Sequence, residues 1–193
     1  MLTSFIIDSH VRNILRQNIP GLSSYSNDEM VMYINAALSW LVGVDSSSNT
    51  TTGSVPLVQG MHQSLPESGL RLISIWSNDN AGIRERINSR VQNGSSPVRN
   101  TPLSEAINSF PDWGFATERT NVTNVVFNAG DAKHFMVYPP NNGTGKLVCT
   151  YARLFDKVVG INDTSMGVGY EYLEAIAYYT AYRAALRKDE KGD

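Results

Sequence analysis

Apolar residues recur every three or four positions near the start of the chain, a spacing typical of an amphipathic helix. The positions are Ile7, Val11, Ile14 and Leu15. Pro20-Gly21 is expected to end this helix, because proline and glycine interrupt helical backbone.

A second helix is predicted to begin at Ser26. Ser26 and Glu29 have the spacing of a capping box, in which each side chain accepts a hydrogen bond from the backbone amide of the other residue. The apolar face of this helix comprises Met30, Ile34, Ala37, Leu38 and Leu41. The two helices, joined by a short turn, are expected to pack as an antiparallel hairpin.

A third long helix is predicted from about Val168 to Arg187. It carries two apolar stripes, one of Tyr172, Ile176, Tyr179 and Leu186 and one of Leu173, Ala177, Thr180 and Ala184. A helix that is apolar on two faces is buried by its own domain and by a further surface. The crowding of tyrosines in this helix fits core packing or a subunit interface, where tyrosine is enriched.

Between these helices the pattern changes to short extended segments. Residues 45–54 are polar without an apolar anchor and predict a loop. Residues 55–60 are strand-like, and the nearly continuous apolar run 70–76 fits a strand buried on both faces. Residues 82–91 fit a strand or a short helix, and we favour a strand followed by a helical turn.

One short helix is predicted in the second half, with Thr101 as its N-cap and Pro102 at its first helical position. Segments rich in β-branched and aromatic residues, or alternating in polarity, are residues 122–127, 134–138 and 146–151. Residues 139–145 contain two prolines and two glycines and are interpreted as a turn that joins the last two strands in a hairpin.

Helices at both ends and strands between them predict an α+β fold. We expect the terminal helices to pack as a bundle, with an inserted antiparallel β-sheet or small β-sandwich. The expected divisions are an N-terminal helical hairpin (1–44), an inserted β-rich region (45–160) and a C-terminal helix packing back on the hairpin (161–193), which together make one composite domain.

Charge and cysteine content limit the classes of function that the chain can have. The chain has 16 Lys and Arg and 18 Asp and Glu, without the basic excess typical of proteins that grip nucleic acid. Cys149 is the only cysteine, so an intramolecular disulfide is excluded, and its apolar surroundings predict a buried, unreactive thiol. No signal peptide and no run of ~20 apolar residues is present, so we expect synthesis in the cytoplasm without membrane insertion.

No residue pattern indicates catalysis, and no catalytic, cofactor-binding or metal-binding residue is predicted. His10, His62 and His134 lie far apart, with no second ligand at metal-binding spacing. Gly143-Thr144-Gly145-Lys146 lacks the first glycine and the final Ser or Thr of a phosphate loop, and it leads into a strand. A hydrolase using dispersed carboxylates remains an alternative, with the candidates Glu67, Asp79, Glu85, Asp112, Glu118 and Asp131.

Several segments, taken in order, are similar to those of tailed-bacteriophage head-to-tail adaptor proteins, also called connector or neck proteins. They are residues 25–29, 34–37, 58–66, 70–73, 111–113, 134–145, 182–184 and 188–189. The most similar is His134–Gly145, an aromatic strand that runs into two prolines and a glycine-containing turn. The chain departs from the family at Gly169-Tyr170, where Pro-Asp before an aromatic residue is common, and after Asp189, where many members continue with an apolar segment.

The resemblance implies a structural, non-enzymatic subunit of a homo-oligomeric ring, usually a dodecamer, in the neck of the virion. Its partners would be the portal protein and the tail tube or nozzle protein. Genomic DNA would pass through the lumen without sequence-specific binding during genome ejection. The residues expected to contact partners are Tyr170, Tyr172, Tyr179, Tyr182, Arg183, Arg187 and Lys188. The other alternative is a β-rich tail component that binds carbohydrate or a receptor.

Overall fold

The computed structural model describes residues 3–18, 25–79, 84–87, 90–93, 97–128, 131–163 and 166–190. The chain divides into two compact units, one formed by residues 1–49 and 154–193 and the other by residues 50–153. We call them the helical unit and the sandwich unit. The long helices lie in the first and the sheets in the second, which confirms the predicted α+β class.

The helices are α1 (Thr3–Ile6), α2 (Arg12–Asn18), α3 (Asn27–Val44), α4 (Leu103–Ser109) and α5 (Leu173–Glu190). A π-helical turn, Ile7–Val11, joins α1 to α2, and two 3-10 turns span Trp113–Phe115 and Tyr170–Tyr172. The strands are β1 (Thr50–Pro56), β2 (Gln59–Ser64), β3 (Gly69–Asn78), β4 (Arg84–Ile87), β5 (Arg90–Asn93), β6 (Arg99–Asn100), β7 (Asn124–Asn128), β8 (Asp131–Asn142) and β9 (Lys146–Arg153).

The helical unit has one core, which α3 and α5 share with the N-terminal helical segment. The predicted apolar face of α3 is buried in full, and from α5 the core includes Ile176, Ala177 and Ala184. The capping box is confirmed, since the Glu29 amide donates to Ser26 Oγ at 3.2 Å and the Ser26 amide donates to Glu29 Oε2 at 3.1 Å. The predicted stop at Pro20-Gly21 lies outside the described residues.

The sandwich unit packs two sheets against one apolar core. The three-stranded sheet has the order β1-β9-β3 and is antiparallel. The four-stranded sheet has the order β2-β8-β7-β6 and is antiparallel except for the short parallel pair β6–β7. Both sheets contribute to the core, the first through Leu72 and Cys149 and the second through Val125 and Val137. Of the two predicted forms of the inserted β-rich region, an antiparallel sheet or a small sandwich, the structure has the small sandwich.

The predicted hairpin between the last two strands is wrong. β8 pairs with β2 and β7, whereas β9 pairs with β1 and β3, so the turn between them crosses from one sheet to the other. The turn is also shorter than predicted, because β8 continues as a strand through both prolines to Asn142. The side chain of Asn141, which is fully buried, accepts hydrogen bonds from the amides of Gly143 (2.9 Å) and Gly145 (3.2 Å) and so fixes the crossing.

The polar run predicted to be a loop over residues 45–54 is a loop only as far as Asn49. From Thr50 onward it forms β1, paired with β9 along its length. Thr50, Thr52 and Ser54 face solvent, and threonine favours extended backbone because it is β-branched. Val55 is the one buried residue of this edge strand, so its sequence carries little of the apolar alternation that the prediction required.

The run 70–76 forms a strand, as predicted, but it is not buried on both faces. Its pairing with β9 is interrupted by three register shifts, which skip Leu70, Ile73 and Trp76. Leu72 and Ile75 pack into the core, while the three skipped residues are exposed. The apolar run therefore serves one buried face and one exposed face.

Two smaller predictions also need correction. Pro102, not Thr101, is the N-cap of α4, and the hydroxyl of Thr101 instead accepts a hydrogen bond from Asn124 Nδ2 at 2.8 Å. The helical turn predicted near Val91 is absent at Arg90 and Val91, which belong to β5 and pair with β4 in a two-stranded hairpin. Residues 88 and 89 lie outside the described part of the chain.

Candidate interaction surface of the helical unit

Three side-chain contacts fix the register of α5 against α3. Arg187 near the end of α5 reaches Glu29 near the start of α3, with 2.8 Å between Arg187 Nη1 and Glu29 Oε1. Tyr179 stacks on Trp40 with 4.6 Å between ring centroids. The Tyr172 hydroxyl donates to Asp45 Oδ2 at 2.7 Å. The two helices are therefore antiparallel neighbours, with the start of α5 beside the end of α3.

Glu29 links two functions at the start of α3. One carboxylate oxygen closes the capping box and the other accepts from Arg187. Arg187 also donates to the Tyr33 hydroxyl at 3.3 Å. The end of α5 is thus held by a charge-assisted hydrogen bond, a stronger kind than one between neutral groups.

Asp45, which caps the end of α3, holds the opposite end of the pair. Its carboxylate accepts from the Ser47 hydroxyl at 2.6 Å and from Tyr172. These hydrogen bonds, with that of Ser47 the strongest, lower the pKa of Asp45 below its usual value. The same bond to Asp45 raises the pKa of Tyr172, because it stabilises the protonated phenol.

The predicted partner-binding residues separate into two groups. Tyr172, Tyr179 and Arg187 are half-buried and engaged within the helical unit. Tyr170, Tyr182 and Arg183 are exposed. Lys188 lies in α5, but its side chain is outside what the structure describes.

An exposed apolar surface runs along both helices. On α5 it comprises the half-buried Tyr179 with the exposed Tyr182 and Leu186, and on α3 it comprises the exposed Met32 and Trp40. Tyr182 is 57% exposed, and its ring centroid lies 6.2 Å from that of Tyr179. We call these five residues the aromatic seam. Exposed apolar groups that are contiguous mark interaction sites more often than scattered ones do.

Sequence reasoning missed the α3 half of the seam. The signal was present, since Met32, Ala36 and Trp40 recur every four residues beside the buried stripe of the same helix. It could not be interpreted from the sequence, because whether a second apolar stripe on α3 is buried or forms a surface depends on where α5 packs. The stacking of Trp40 on Tyr179 provides that placement.

The structure shows the surroundings of the cysteine and of two of the histidines. No cluster of three or more metal-binding side chains occurs among the described residues. Cys149 is buried as predicted, and burial raises the pKa of its thiol to about 11, which keeps it protonated. His134 is exposed and lies 2.7 Å from Asp131, and His10 is half-buried in the π-helical turn.

A shallow pocket in the sandwich unit bears on the hydrolase alternative. Its lining includes Asp112, Arg119, Thr123 and Tyr138. Among the described residues that line it, Asp112 is the only carboxylate, whereas glycoside hydrolysis commonly needs two facing acids. The described lining therefore does not supply the acid pair that the hydrolase alternative requires.

None of the described helices combines the length with the apolar content that crossing a bilayer demands.

Comparison with known proteins identifies a family. The model of a protein family described as SU10 adaptor protein, a phage head-tail adaptor family, matches residues 6–193 of the chain. No protein with a curated description matches it.

Proposed function

The chain belongs to the SU10 adaptor protein family, and from this membership we propose that it is a structural, non-enzymatic subunit of a homo-oligomeric ring that joins the portal to the tail in the virion neck. The observation that carries the proposal is the family match, which spans both structural units. The ring would continue the DNA channel from the capsid into the tail tube or nozzle.

The aromatic seam supports a partner contact on the helical unit. Tyrosine and tryptophan dominate binding energy in protein interfaces because they bury large areas at small entropic cost. Here the antiparallel pair α3–α5 presents them on a rigid element whose two ends are fixed by Glu29–Arg187 and Asp45–Tyr172. We assign this seam, together with the exposed Tyr170 and Arg183, to the portal contact.

The charge of the chain supports passage of DNA without capture. With a net charge of −2, the ring would not bind phosphate strongly enough to stall a moving duplex. No sequence-specific contact with DNA is part of the proposal.

Native mass spectrometry of the chain mixed with its purified portal tests the ring. The expected result is a complex of defined stoichiometry, with twelve copies of the chain in the case of a dodecamer. A reconstruction of the virion should place that ring between the portal and the tail. A chain that remains monomeric beside the portal, or that is found elsewhere in the virion, would contradict the proposal.

The assignment of the seam has its own test. The double variant Tyr182→Ser, Leu186→Ser should keep its fold, since both side chains are exposed, and should bind the portal at least about tenfold more weakly, equivalent to ~1.4 kcal/mol. The matched control is Val159→Ser, which removes another exposed apolar side chain of the helical unit. Equal portal binding by both variants, measured by biolayer interferometry, would show that the portal contacts another surface.

A further inference from the structure

Three successive irregularities in β3 place large apolar side chains on the outer face of the three-stranded sheet. The register with β9 skips Leu70, Ile73 and Trp76, so each is the extra residue of a bulge. Trp76 is 61% exposed, and its indole Nε1 donates to Thr150 Oγ1 at 3.0 Å. Because Cys149 faces the core, its neighbour Thr150 faces outward, and Trp76 lies on that outer face. Bulges commonly re-aim side chains at functional positions.

Helix α4 exposes its apolar side chains as well. Ala106 is the buried residue of α4, while Leu103 and Ile107, one helical turn apart, face solvent, with Ile107 61% exposed. The 3-10 turn that follows presents Phe115, which is 95% exposed. This turn is held in place by Trp113, whose indole Nε1 donates to the Val137 carbonyl at 2.9 Å.

The two surfaces lie on opposite sides of the sandwich. Val137 of β8 faces the core, so Tyr138 faces outward from the four-stranded sheet, and Phe110 after α4 stacks on Tyr138 with 4.1 Å between ring centroids. Segment 103–115 therefore covers the outer face of one sheet, whereas Leu70, Ile73 and Trp76 occupy the outer face of the other. We call Leu70, Ile73 and Trp76 the sheet patch and Leu103, Ile107 and Phe115 the helix patch.

The charges around the two patches are complementary. The three strands of the sheet that carries the sheet patch contain three basic residues, Arg71, Lys146 and Arg153, and no acidic one. Residues 99–119, which include the helix patch, contain three acidic residues, Glu105, Asp112 and Glu118, and two basic ones, Arg119 and Arg99, of which Arg99 lies 3.6 Å from Glu105. This segment therefore has a net charge of −1, opposite in sign to that of the sheet. Surfaces of opposite charge attract each other and disfavour like-with-like contact.

We propose that the sheet patch of one copy of this chain docks against the helix patch of the next copy. Two different, complementary patches on opposite sides of one molecule are what a head-to-tail contact requires, and such contacts close into a ring when the rotation between copies permits. The inference rests on the proposed ring and identifies which surfaces of the sandwich unit join its neighbours. It assigns the sandwich unit to contacts between copies, separate from the aromatic seam assigned to the portal.

A mixing experiment tests this contact. Ile73→Glu places a negative charge opposite the acidic helix patch, and Ile107→Lys places a positive charge opposite the basic sheet, so each variant alone is expected to be monomeric. When the two are mixed, the intact sheet patch of one meets the intact helix patch of the other, so a 1:1 heterodimer should form and grow no further. Native mass spectrometry and sedimentation velocity read the outcome, both for the free chains and with purified portal added.

Val58→Glu and Val58→Lys are the controls, because they add the same two charges at an exposed apolar position of the sandwich unit outside both patches, and both should assemble as the wild type does. If either charged variant fails to fold by circular dichroism, Ile73→Ser and Ile107→Ser replace the pair. A mixture without heterodimer, or rings that form equally well with both variants, would overturn the proposed contact while leaving the ring intact. A wild-type chain that stays monomeric alone and with the portal would instead contradict the ring itself.

Discussion

Asn35 and Asn78 use their side-chain amides as if they were backbone peptides. Asn78 Nδ2 donates to the Val122 carbonyl at 2.8 Å, and Asn78 Oδ1 accepts from the Val122 amide at 2.9 Å. Asn35 makes the same two bonds with Val158, at 2.8 and 2.9 Å. The partners lie 44 and 123 residues away in the chain, so no local pattern could reveal them. Asparagine in a sequence indicates a turn, whereas here it stabilises segments that lack a strand partner.

Asn141 is the most heavily bonded of these amides and gives a sharp prediction. Its Nδ2 donates to the carbonyls of Arg119 and Thr120, at 3.0 and 2.8 Å, in addition to the bonds that it accepts from Gly143 and Gly145. Asn141→Ala would remove all four hydrogen bonds, including the one that the buried Gly145 amide donates, and should destabilise the fold by about 2–4 kcal/mol. The exposed neighbour Asn142→Ala should cost less than about 1 kcal/mol. Urea denaturation measures both, and equal costs would contradict the role given to Asn141.

The pair Asp45–Tyr172 gives a pH-dependent prediction. A carboxyl group whose pKa is lowered on folding stabilises the folded state above its unfolded pKa, and this contribution is lost as the pH falls through the folded-state pKa. Tyr172→Phe removes one of the hydrogen bonds that lower the pKa of Asp45, so that pKa should rise toward the usual 3.8. NMR titration of the Asp45 carboxyl measures the shift, with Tyr170→Phe as the control that should leave it unchanged. The stability difference between Tyr172→Phe and the wild type should shrink below about pH 4.

At the scale of the elements, the contribution of the α3 capping box to stability can be separated from that of the Glu29–Arg187 ion pair. Ser26→Ala removes the hydroxyl that accepts from the Glu29 amide and should cost about 1 kcal/mol of stability. Glu29→Gln keeps a side chain that can close the capping box but removes the negative charge opposite Arg187. Because that ion pair is about one-third exposed, its loss should cost less than the loss of the cap. Thermal unfolding followed by circular dichroism compares the two, and a larger loss in Glu29→Gln would contradict this order.

The sequence was sufficient to predict elements whose stability comes from one periodic face. α3 and the capping box at its start follow from apolar spacing and from Ser26 and Glu29, and both are observed. β9 was predicted from strict alternation, and Leu147 and Cys149 are buried accordingly. In each case the local pattern and the tertiary contacts favour the same structure, so a local rule is enough.

Elements whose form depends on a distant partner could not be predicted in the same way. The turn after β8 was predicted to join the two strands of a hairpin. Proline and glycine are equally suited to a turn within one sheet and to a crossing between two sheets, so these residues do not distinguish the two structures. The bulges of β3 arise from its pairing with β9, about 70 residues or more later in the chain, and they convert an apolar run into one buried face and one exposed face. The sheet patch was therefore invisible until the pairing was known, as was the α3 half of the aromatic seam.

At the scale of the whole molecule, the chain connectivity predicts that the helical unit and the sandwich unit each fold without the other. The sandwich unit is one continuous segment, residues 50–153, inserted into the helical unit. Its two ends are neighbours, since Thr50 pairs with Ala152 across β1 and β9. Paired antiparallel residues lie about 4.5–5.5 Å apart at their Cα atoms. Each unit also has its own core cluster of buried residues.

This arrangement permits the two proposed interfaces to be separated physically. Residues 50–153 expressed alone should unfold cooperatively. In a second protein, a linker of about four Gly and Ser residues joins Asn49 directly to Leu154. This protein should fold as the helical unit, because the linker spans a short gap. The linked helical unit should still bind the portal through the aromatic seam but should lose the cooperativity that contacts between neighbouring copies provide. Isothermal titration calorimetry with purified portal measures both properties. If the linked unit folds and nevertheless fails to bind, the portal contact must require the sandwich unit, and the division of labour between the two units would be wrong.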